Sequence, residues 1–493
     1  MKFNVVSLFS GCGGLDLGVA NSERETISAN LEDTKFNFVW SNDLMGHACK
    51  TIQKNWGHEI TEDPEKKVEE GLVYNGDVRE VNFDQIIDSN IDLVMGGFPC
   101  KDFSILRGDD NRGGVKVERG KLYLEFVRSL ADLQPKMFVA ENVKGLISAN
   151  DGKAYDRIMS DFENLNQNWD DIEEEYQEKK GEIKTHNGEE IEGYTILHSE
   201  VIDFSNHGVP QARERLVIIG LRDDLAEKLK DKTGKSVEEW KKEIRNNLEE
   251  TDSLSTYPIT TMEAFKGKQL LELDEEFEKV MKGYSPFIDK LDSERAIEYR
   301  EEVWTKYTFD IWEDYLWRND IKGSLKQFMN ETSQQKVKEV HREILEELGY
   351  LNSSLDEKEF EDGSNQLMRE TQPVSERLNH IPPDENHKIV RDTEHHVSGM
   401  MSNIYRRTHP LKPSTTIISS GGGGTWGYHY EVERGKLTNR ERARIQSFPD
   451  DFLFHGKNGE VRKQIGNAVP PLGAKRIGEN ILPILESMGE DER

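Results

Sequence analysis

Short apolar segments that end in glycine or in a polar residue recur through the first half of the chain. Runs of this length, bounded by turn-forming residues, are typical of strands in a parallel sheet that is buried on both faces. Amphipathic segments with helical spacing separate several of them, which predicts an α/β fold. The segments predicted as strands are 3–9, 36–41, 91–95, 135–140, 194–203 and 216–221.

The pattern changes in the middle of the chain. Residues 225–372 are mostly charged and helical in spacing, with clusters of aromatic residues, which predicts a second region with its own composition. Further on, the segment 414–420 predicts a strand. Thr438 and Glu441, three residues apart, predict the capped start of a helix. An acidic insertion at 151–192 carries no chemistry that the sequence identifies.

Composition is typical of a soluble globular protein. The chain has 493 residues, of which 35% are hydrophobic and 32% charged. No apolar run approaches the roughly 20 residues that a membrane span needs, and the N-terminus lacks the features of a signal peptide, so we expect a cytoplasmic protein without a membrane partner. Cys12, Cys49 and Cys100 are too few for a disulfide framework and lack the spacing of a zinc site, so we expect no bound metal.

The net charge of −29 alone argues against nucleic-acid binding, because phosphate contacts need lysine and arginine. Net charge is a sum, however, and binding requires only a local basic surface. Basic residues are concentrated at a few places in this sequence. They are Arg213, Arg215, Arg406, Arg407 and the arginines of 434–444.

Two glycine-containing loops follow predicted strands and are candidates for chemistry. Residues 96–104 place Cys100 after Gly-Gly-Phe-Pro, at the strand edge where open α/β sheets hold reactive groups. A thiol in this position is placed like a nucleophile, although a small apolar cysteine is the alternative. Residues 9–14 join a strand to a helix and predict a nucleotide-type cradle, without the GxGxxG dinucleotide pattern.

Acidic residues stand at the ends of three predicted strands. Asp43 is a candidate for ribose hydroxyls or for a helix cap, and Asp77 for an adenine amino group or a turn cap. Glu141 is a candidate acid or base, with a structural carboxylate as the alternative. Arg213 and Arg215 alternate along an extended segment, which suits a phosphate, a base carbonyl or a pair of surface ion pairs.

Six motifs in order give the chain its resemblance to the DNA (cytosine-5)-methyltransferases. They are the glycine loop Phe-Ser-Gly-Cys-Gly-Gly at 9–14, Pro-Cys at 99–100, Glu-Asn-Val at 141–143, Gln-x-Arg-x-Arg at 211–215, the segment 440–452 and the segment 464–471. A single motif of this kind is weak evidence. All of them in order, at compatible spacing, make coincidence negligible.

The resemblance implies a Rossmann-like, S-adenosylmethionine-dependent methyltransferase fold with a smaller target recognition domain. It implies a catalytic domain at 1–223, a recognition domain at 224–455 and a C-terminal segment at 456–493 that returns to the catalytic domain. Cys100 would add to cytosine C6, Glu141 would contact N3 and the exocyclic amine, Arg215 would hold O2, and Arg213 would support the loop and nearby phosphates. The residues implied for the cofactor are Phe9, Gly11, Gly13, Gly14, Leu15, Asp43, Asp77, Val78, Asn467 and Val469.

The implied partner is double-stranded DNA, from which the target cytosine is flipped out. The glycine-rich loop 106–116 would close behind it, basic residues would line the cleft, and a monomer is expected. A cognate restriction endonuclease is implied as a functional partner in a prokaryotic cell. The alternatives are an RNA cytosine-5 methyltransferase, a non-catalytic DNA-binding regulator of methylation and, remotely, a nicotinamide dehydrogenase.

Overall fold

A computed structural model describes residues 2–69, 71–99, 122–180, 191–249, 258–319, 331–419, 421 and 424–489. Cys100 and the predicted closing loop 106–116 lie outside the described residues.

One mixed sheet organises the molecule, and within the described ranges it has eight strands in the order β3-β4-β2-β1-β5-β6-β8-β7. Neighbours from β3 to β6 pair in parallel, whereas β8 is antiparallel to both β6 and β7. The predicted α/β fold is therefore confirmed, and so are all six predicted strands, to within three residues at each end. The strands are β1 (Phe3–Leu8), β2 (Phe36–Asn42), β3 (Glu59–Thr61), β4 (Leu72–Tyr74), β5 (Leu93–Gly96), β6 (Met137–Val143), β7 (Tyr194–Asp203) and β8 (Glu214–Arg222).

Helices cover both faces of the sheet and make up most of the region that follows it. In the first part of the chain they are α1 (Gly14–Ala20), α2 (Gly46–Trp56), α3 (Phe83–Ile86), α4 (Leu122–Leu133), α5 (Lys153–Glu163), α6 (Leu165–Lys180), α7 (Asp223–Thr233) and α8 (Val237–Glu249). In the second part they are α9 (Thr261–Lys266), α10 (Asp274–Gly283), α11 (Ser285–Ile288), α12 (Glu294–Glu298), α13 (Ile311–Arg318), α14 (Glu331–Glu347), α15 (Gln372–Asn379), α16 (Asn439–Ile445), α17 (Asn458–Asn467) and α18 (Pro471–Met488).

The C-terminal helix α18 packs on α1, the first helix of the chain. A Cβ atom at Gly18 would stand 2.3 Å from the Cβ of Ala474, and one at Gly478 would stand 2.2 Å from the Oγ of Ser22. Backbones approach this closely only where side chains are absent. Glycine on both helices thus lets the C-terminal helix α18 pack closely on α1.

The two helices after β8 remain with the sheet. Both α7 and α8 pack against β7 and against α18. Beyond them, one hydrophobic cluster continues from the sheet into the second region, from Val217 through Leu225 to Phe265 and Leu345. The domain boundaries at 223 and 455 stay predictions, because a continuous core gives no break at which to place them.

The predicted strand at 414–420 is wrong, because this segment makes a single bridge, between Ser414 and Gln211, in place of a ladder. Side chains hold its backbone instead. The Ile417 N–H donates to Oε1 of Gln211 at 2.7 Å, and the Thr416 hydroxyl donates to the Ala212 carbonyl at 2.9 Å. The apolar and β-branched residues that suggested a strand therefore tie the second region to the entrance of β8.

Other features of the second region agree with the sequence. The helix predicted to start at Thr438 is α16, and Thr438 and Glu441 form the expected capping box. Among the described residues, no helix is both long and apolar enough to cross a membrane.

Candidate active site

The loop between β1 and α1 curls tightly at the carboxyl edge of the sheet. Phe9, Gly11 and Gly13 all have positive φ angles, of 54°, 58° and 86°. Gly13 precedes the first turn of α1, and its N–H donates to the Ser10 carbonyl at 2.9 Å. A Cβ atom at Gly11 would meet nothing within 4 Å, so this part of the loop faces open space. The geometry leaves room for a ligand against the backbone.

Asp43 connects this loop to the end of β2. Its Oδ2 accepts from the Gly11 N–H at 2.9 Å, and its Oδ1 accepts from the Met45 N–H at 2.7 Å. Met45, not Asp43, occupies the cap position of α2. Burial raises the pKa of the Asp43 carboxyl group, and these two backbone donors oppose the rise. Asp43 thus orders the cradle, and its predicted contact with a ribose stays a prediction.

Asp77 caps a short helical turn, the alternative that the sequence left open. Its carboxylate accepts from the Arg79 N–H at 3.0 Å and pairs with the Arg79 guanidinium. Val78 is buried, and its carbonyl accepts from Arg128 at 3.1 Å. The carboxylate is engaged within its own turn, so its predicted contact with adenine stays a prediction.

The segment at the end of α17 lies against the loop between β1 and α1, although it comes from near the other end of the chain. A Cβ atom at Gly14 would stand 2.4 Å from the Val469 carbonyl oxygen, so this contact requires glycine. Leu15 and Val469 are buried, whereas Asn467 is exposed. The structure therefore brings together segments more than 450 residues apart in sequence, and their joint contact with a cofactor stays a prediction.

The donor set of the cradle suits S-adenosylmethionine. A helix N-terminus and a positive-φ loop accommodate a ligand against the backbone. The buried carboxylate of Asp43 favours a ligand that carries hydroxyl groups and positive charge. Within the described ranges, no group of three or more His, Cys, Asp or Glu side chains could hold a metal ion.

Glu141 and Arg215 form an ion pair across β6 and β8. The Arg215 Nε lies 3.0 Å from the Glu141 Oε1. Glu141 is registered opposite Val217, so Arg215 is its diagonal neighbour on the same face of the sheet. Burial raises the pKa of Glu141, while Arg215 and Arg213 oppose the rise. Glu141 is thus a carboxyl group with a raised pKa, and the Arg215 guanidinium holds it in place.

This pair lies directly against the loop that leads to Cys100. A Cβ atom at Gly97 would stand 2.9 Å from the Glu141 Oε2. The adjacent Asn142 donates from Nδ2 to the Phe98 carbonyl at 3.0 Å. Asn142 had no role predicted from the sequence, although its place in the Glu-Asn-Val motif was the available signal. Asn142 thus holds the backbone at Phe98, and Glu141 lies against Gly97.

Arg213 is buried, in contrast to the phosphate contact that the resemblance implied. Its guanidinium donates to the carbonyls of Ile417, Gly466 and Ala468 at 3.0–3.4 Å. Burial lowers its pKa to about 9, and the charge of Arg215 adds to this effect. Arg213 joins the entrance of β8 to the end of α17, and its predicted support of the loop stays a prediction.

Most of the other arginines expected to line a basic cleft are buried, so that expectation is wrong for them. Arg407 is 1% exposed and donates to five backbone carbonyls, including those of Leu378 and Val432. The three arginines of α16 are also buried, at 0–1% exposure. A cation enclosed by carbonyl and carboxylate oxygens offers no charge to a phosphate. The sequence counted these arginines as surface charge because burial cannot be read from residue type.

Comparisons with known proteins identify the family. The profile of the C-5 cytosine-specific DNA methylases matches residues 3–483. The chain is 43% identical to the DNA (cytosine-5-)-methyltransferase M.ApeKI of Aeropyrum pernix, over 99% of this chain and 100% of that protein. It is 32% identical to the type II methyltransferase M.NgoFVII of Neisseria gonorrhoeae, over 98% of this chain and 87% of that protein. A solved structure of a prophage-encoded protein of E. coli, described as a DNA modification methyltransferase, matches with a TM-score of 0.51 at 22% identity, over 98% of this chain and 100% of that one, and shows the fold alone.

Proposed function

The chain belongs to the C-5 cytosine-specific DNA methylase family and is a DNA (cytosine-5-)-methyltransferase, and on this premise we propose that Cys100, Glu141 and Arg215 carry its chemistry. The observation that supports this most strongly is the Glu141–Arg215 pair, 3.0 Å apart and pressed against the Gly97 backbone. A cation and a carboxylate with a raised pKa meet there at the base of the Pro-Cys loop.

Cytosine C5 is a poor nucleophile and must be activated before it can accept a methyl group. The Cys100 thiolate adds to C6, which pushes electron density through the ring to C5 and N3. Glu141 holds a proton against N3 and so offsets the negative charge that develops. Bound S-adenosyl-L-methionine supplies the electrophilic methyl group. Loss of the C5 proton and expulsion of Cys100 then restore the aromatic ring.

Arg215 has two tasks at this site. Its contact with Glu141 keeps the carboxylate in one orientation, and its remaining guanidinium donors suit the cytosine O2. Because the side chain is still 14% exposed, it is accessible to a flipped-out base. Arg213, buried behind it, maintains the backbone from which Arg215 projects.

The cofactor would be held by the cradle between β1, β2 and α17. The residues proposed to hold it are Phe9, Gly11, Gly13, Gly14, Leu15, Asp43, Asp77, Val78, Asn467 and Val469. Asp43 orients the loop through Gly11 and offers its carboxylate to the ribose.

We further propose duplex DNA as the substrate, with specificity read by the second region at 224–455. Curated relatives are type II methyltransferases, which supports a role in protecting DNA from a cognate endonuclease. Such an enzyme would act as a monomer in the cytoplasm of a prokaryotic cell. DNA binding should weaken steeply as salt rises, because each phosphate contact releases condensed counterions.

Duplex DNA that carries 5-fluorocytosine tests the covalent step. Fluorine replaces the C5 proton whose loss normally allows Cys100 to be expelled. The covalent Cys100 adduct therefore accumulates and survives denaturing electrophoresis. The wild type should form this adduct in the presence of cofactor, and Cys100→Ala should not. Fluorinated structured RNA is run in parallel, and an adduct with RNA alone would contradict the substrate assignment.

A further inference from the structure

A small polar cluster lies between the sheet and α1, under the cofactor loop. Ser7 and Ser41 are register partners on the parallel strands β1 and β2, so their side chains face the same side of the sheet. Asp16, in the first turn of α1, is fully buried, and its Oδ1 accepts from the Ser7 hydroxyl at 2.5 Å. A carboxyl group is thus enclosed directly behind the loop that forms the cradle.

Two polar atoms of this cluster are buried without a hydrogen-bond partner among the described residues. They are the Oδ2 of Asp16 and the Oγ of Ser41. A buried carboxylate oxygen that lacks a donor is costly, because ionisation then has only one hydrogen bond to stabilise it. The charge of Asp16 is therefore poorly compensated by the protein itself.

Asp16 stands two residues after Gly14, directly beyond the loop. Cys12, between Gly11 and Gly13, has a raised pKa, chiefly because it is buried and further because Asp43 and Asp16 are nearby. On the opposite side, α18 packs on α1, but its Lys475 is already paired with Glu347 and Glu479. Asp16 and Asp43 thus lie beside the loop, and Lys475 of α18 has carboxylate partners of its own.

We propose that Asp16 is a positioning residue for the cofactor, whose carboxylate favours the cationic sulfonium of S-adenosylmethionine over the neutral thioether of the demethylated product. The inference rests on the proposed cofactor site. A cation in the cradle shifts Asp16 toward its ionised form, and the released proton passes to solvent. The neutral product leaves a larger fraction of Asp16 protonated.

The sign of the effect follows from the burial of Asp16. Burial raises the pKa of its carboxyl group to about 7, and the Ser7 hydroxyl opposes the rise. Near neutral pH the group is therefore divided between its two forms. A nearby cation lowers the pKa, so binding the sulfonium releases a proton below about pH 7 and progressively less above it.

Calorimetric binding of S-adenosylmethionine and of S-adenosylhomocysteine tests this inference without turnover. Titrations at pH 6.0 and pH 7.5, each in two buffers of different ionisation heat, count the protons released. The wild type should release about half a proton with each sulfonium bound at pH 6.0, and little with the thioether. Its preference for the sulfonium should rise about fivefold between the two pH values, the size expected for unit charges several ångströms apart.

Asp16→Asn should bind both ligands, release no proton from this site and show a pH-independent preference. Asp16→Glu should restore part of the pH dependence, which a merely structural role would not do. Asp161→Asn is the matched control, because Asp161 is also a fully buried carboxyl group with a raised pKa but lies on α5.

The outcomes separate the inference from the proposed function. Wild-type binding of both ligands without proton release overturns the inference and leaves the cofactor site standing. Proton release that persists in Asp16→Asn also overturns it and assigns the proton to another group, such as Asp43. If the wild type binds neither ligand, the proposed cofactor site itself fails.

Discussion

At the junction of β6 and β8, Arg215 keeps 14% of its side chain exposed and pairs with a single carboxylate, Glu141. In α16, Arg444 is fully buried and donates to Ala264, to Ser353 and to Asp450. The first arginine retains donors that a substrate can use, whereas the second has its donors directed at the protein. Both belong to motifs shared with the family.

The difference shows that position in a motif does not tell how a charged residue acts. Arginine presents five donors in a fixed plane, and their surroundings decide their use. Where carbonyls from several segments converge, as around Arg444, the guanidinium is a structural cross-link. Where one edge stays open, as at Arg215, the same group can hold a ligand.

The largest effect on activity is expected at the Glu141–Arg215 pair. Glu141→Gln keeps the size of the side chain but removes the proton-holding carboxylate, so kcat should fall by about 10²- to 10⁴-fold. Single-turnover methyl transfer to duplex DNA measures this effect. Cofactor affinity should stay within about twofold, since the cradle lies elsewhere.

Glu214→Gln is the matched control for that substitution. Glu214 begins β8, is 49% exposed and pairs with Lys144 at 2.7 Å. Its removal should leave kcat unchanged. Equal losses in the two variants would show that Glu141 acts through the general charge of the sheet edge and not as an acid.

At the buried arginines the expected loss is stability. Arg444→Ala removes one of the two cations paired with Asp450 and the donor to the carbonyls of Ala264 and Ser353, so the free energy of unfolding should fall by about 3–5 kcal/mol. Urea denaturation followed by circular dichroism measures it. At temperatures where the variant is folded, kcat per folded molecule should match the wild type. A stable variant that has lost DNA binding would instead make Arg444 a phosphate contact.

The pairing of Asp450 makes this buried region sensitive to acid. Hydrogen bonds and charge from Arg444 and Lys358 outweigh burial and lower the pKa of Asp450 to about 2. Stability from this pair is therefore complete above about pH 5, and it is lost as the pH falls from about 4 to about 2. Asp450→Asn should lower the free energy of unfolding by about 2 kcal/mol at pH 7 and remove most of its fall between about pH 4 and pH 2. A variant whose stability falls over this range as steeply as that of the wild type would contradict the assignment.

The smallest effect is expected at an exposed arginine. Arg245 on α8 is 57% exposed and pairs with Glu200 and Glu249. Arg245→Ala should change the free energy of unfolding by less than about 0.5 kcal/mol and leave methyl transfer intact. The same denaturation and transfer assays measure it. A loss near that of Arg444→Ala would show that burial does not rank these arginines.

Local patterns predicted much of this molecule. Apolar runs indicated the six long strands, and the capping box marked the start of α16. The motif order named Glu141 and Arg215 as candidates, and the structure brings them to within 3.0 Å. These features depend on neighbouring residues, which the sequence displays directly. Asp43 was also placed correctly at the end of β2, but its bond to Gly11 connects two loops that only the fold brings together.

Features that depend on distant segments were not predictable. The segment 414–420 looks like a strand, but its partners are the side chain of Gln211 and the carbonyl of Ala212, about 200 residues earlier. The burial of Arg407 depends on carbonyls supplied by separate loops. The sequence did not single out Asp16, and only the contact with Ser7 shows that it faces the sheet.

The central claim is that Cys100 attacks cytosine at the corner built by Glu141 and Arg215. Its most direct test is transfer of labelled methyl from S-adenosylmethionine to unmethylated duplex DNA, with wild type, Cys100→Ala and Glu141→Gln in parallel and the product positions read by bisulfite sequencing. We expect label at C5 of cytosine within one short sequence for the wild type, none for Cys100→Ala and a greatly slowed reaction for Glu141→Gln. Methylation by Cys100→Ala at the wild-type rate would contradict the claim.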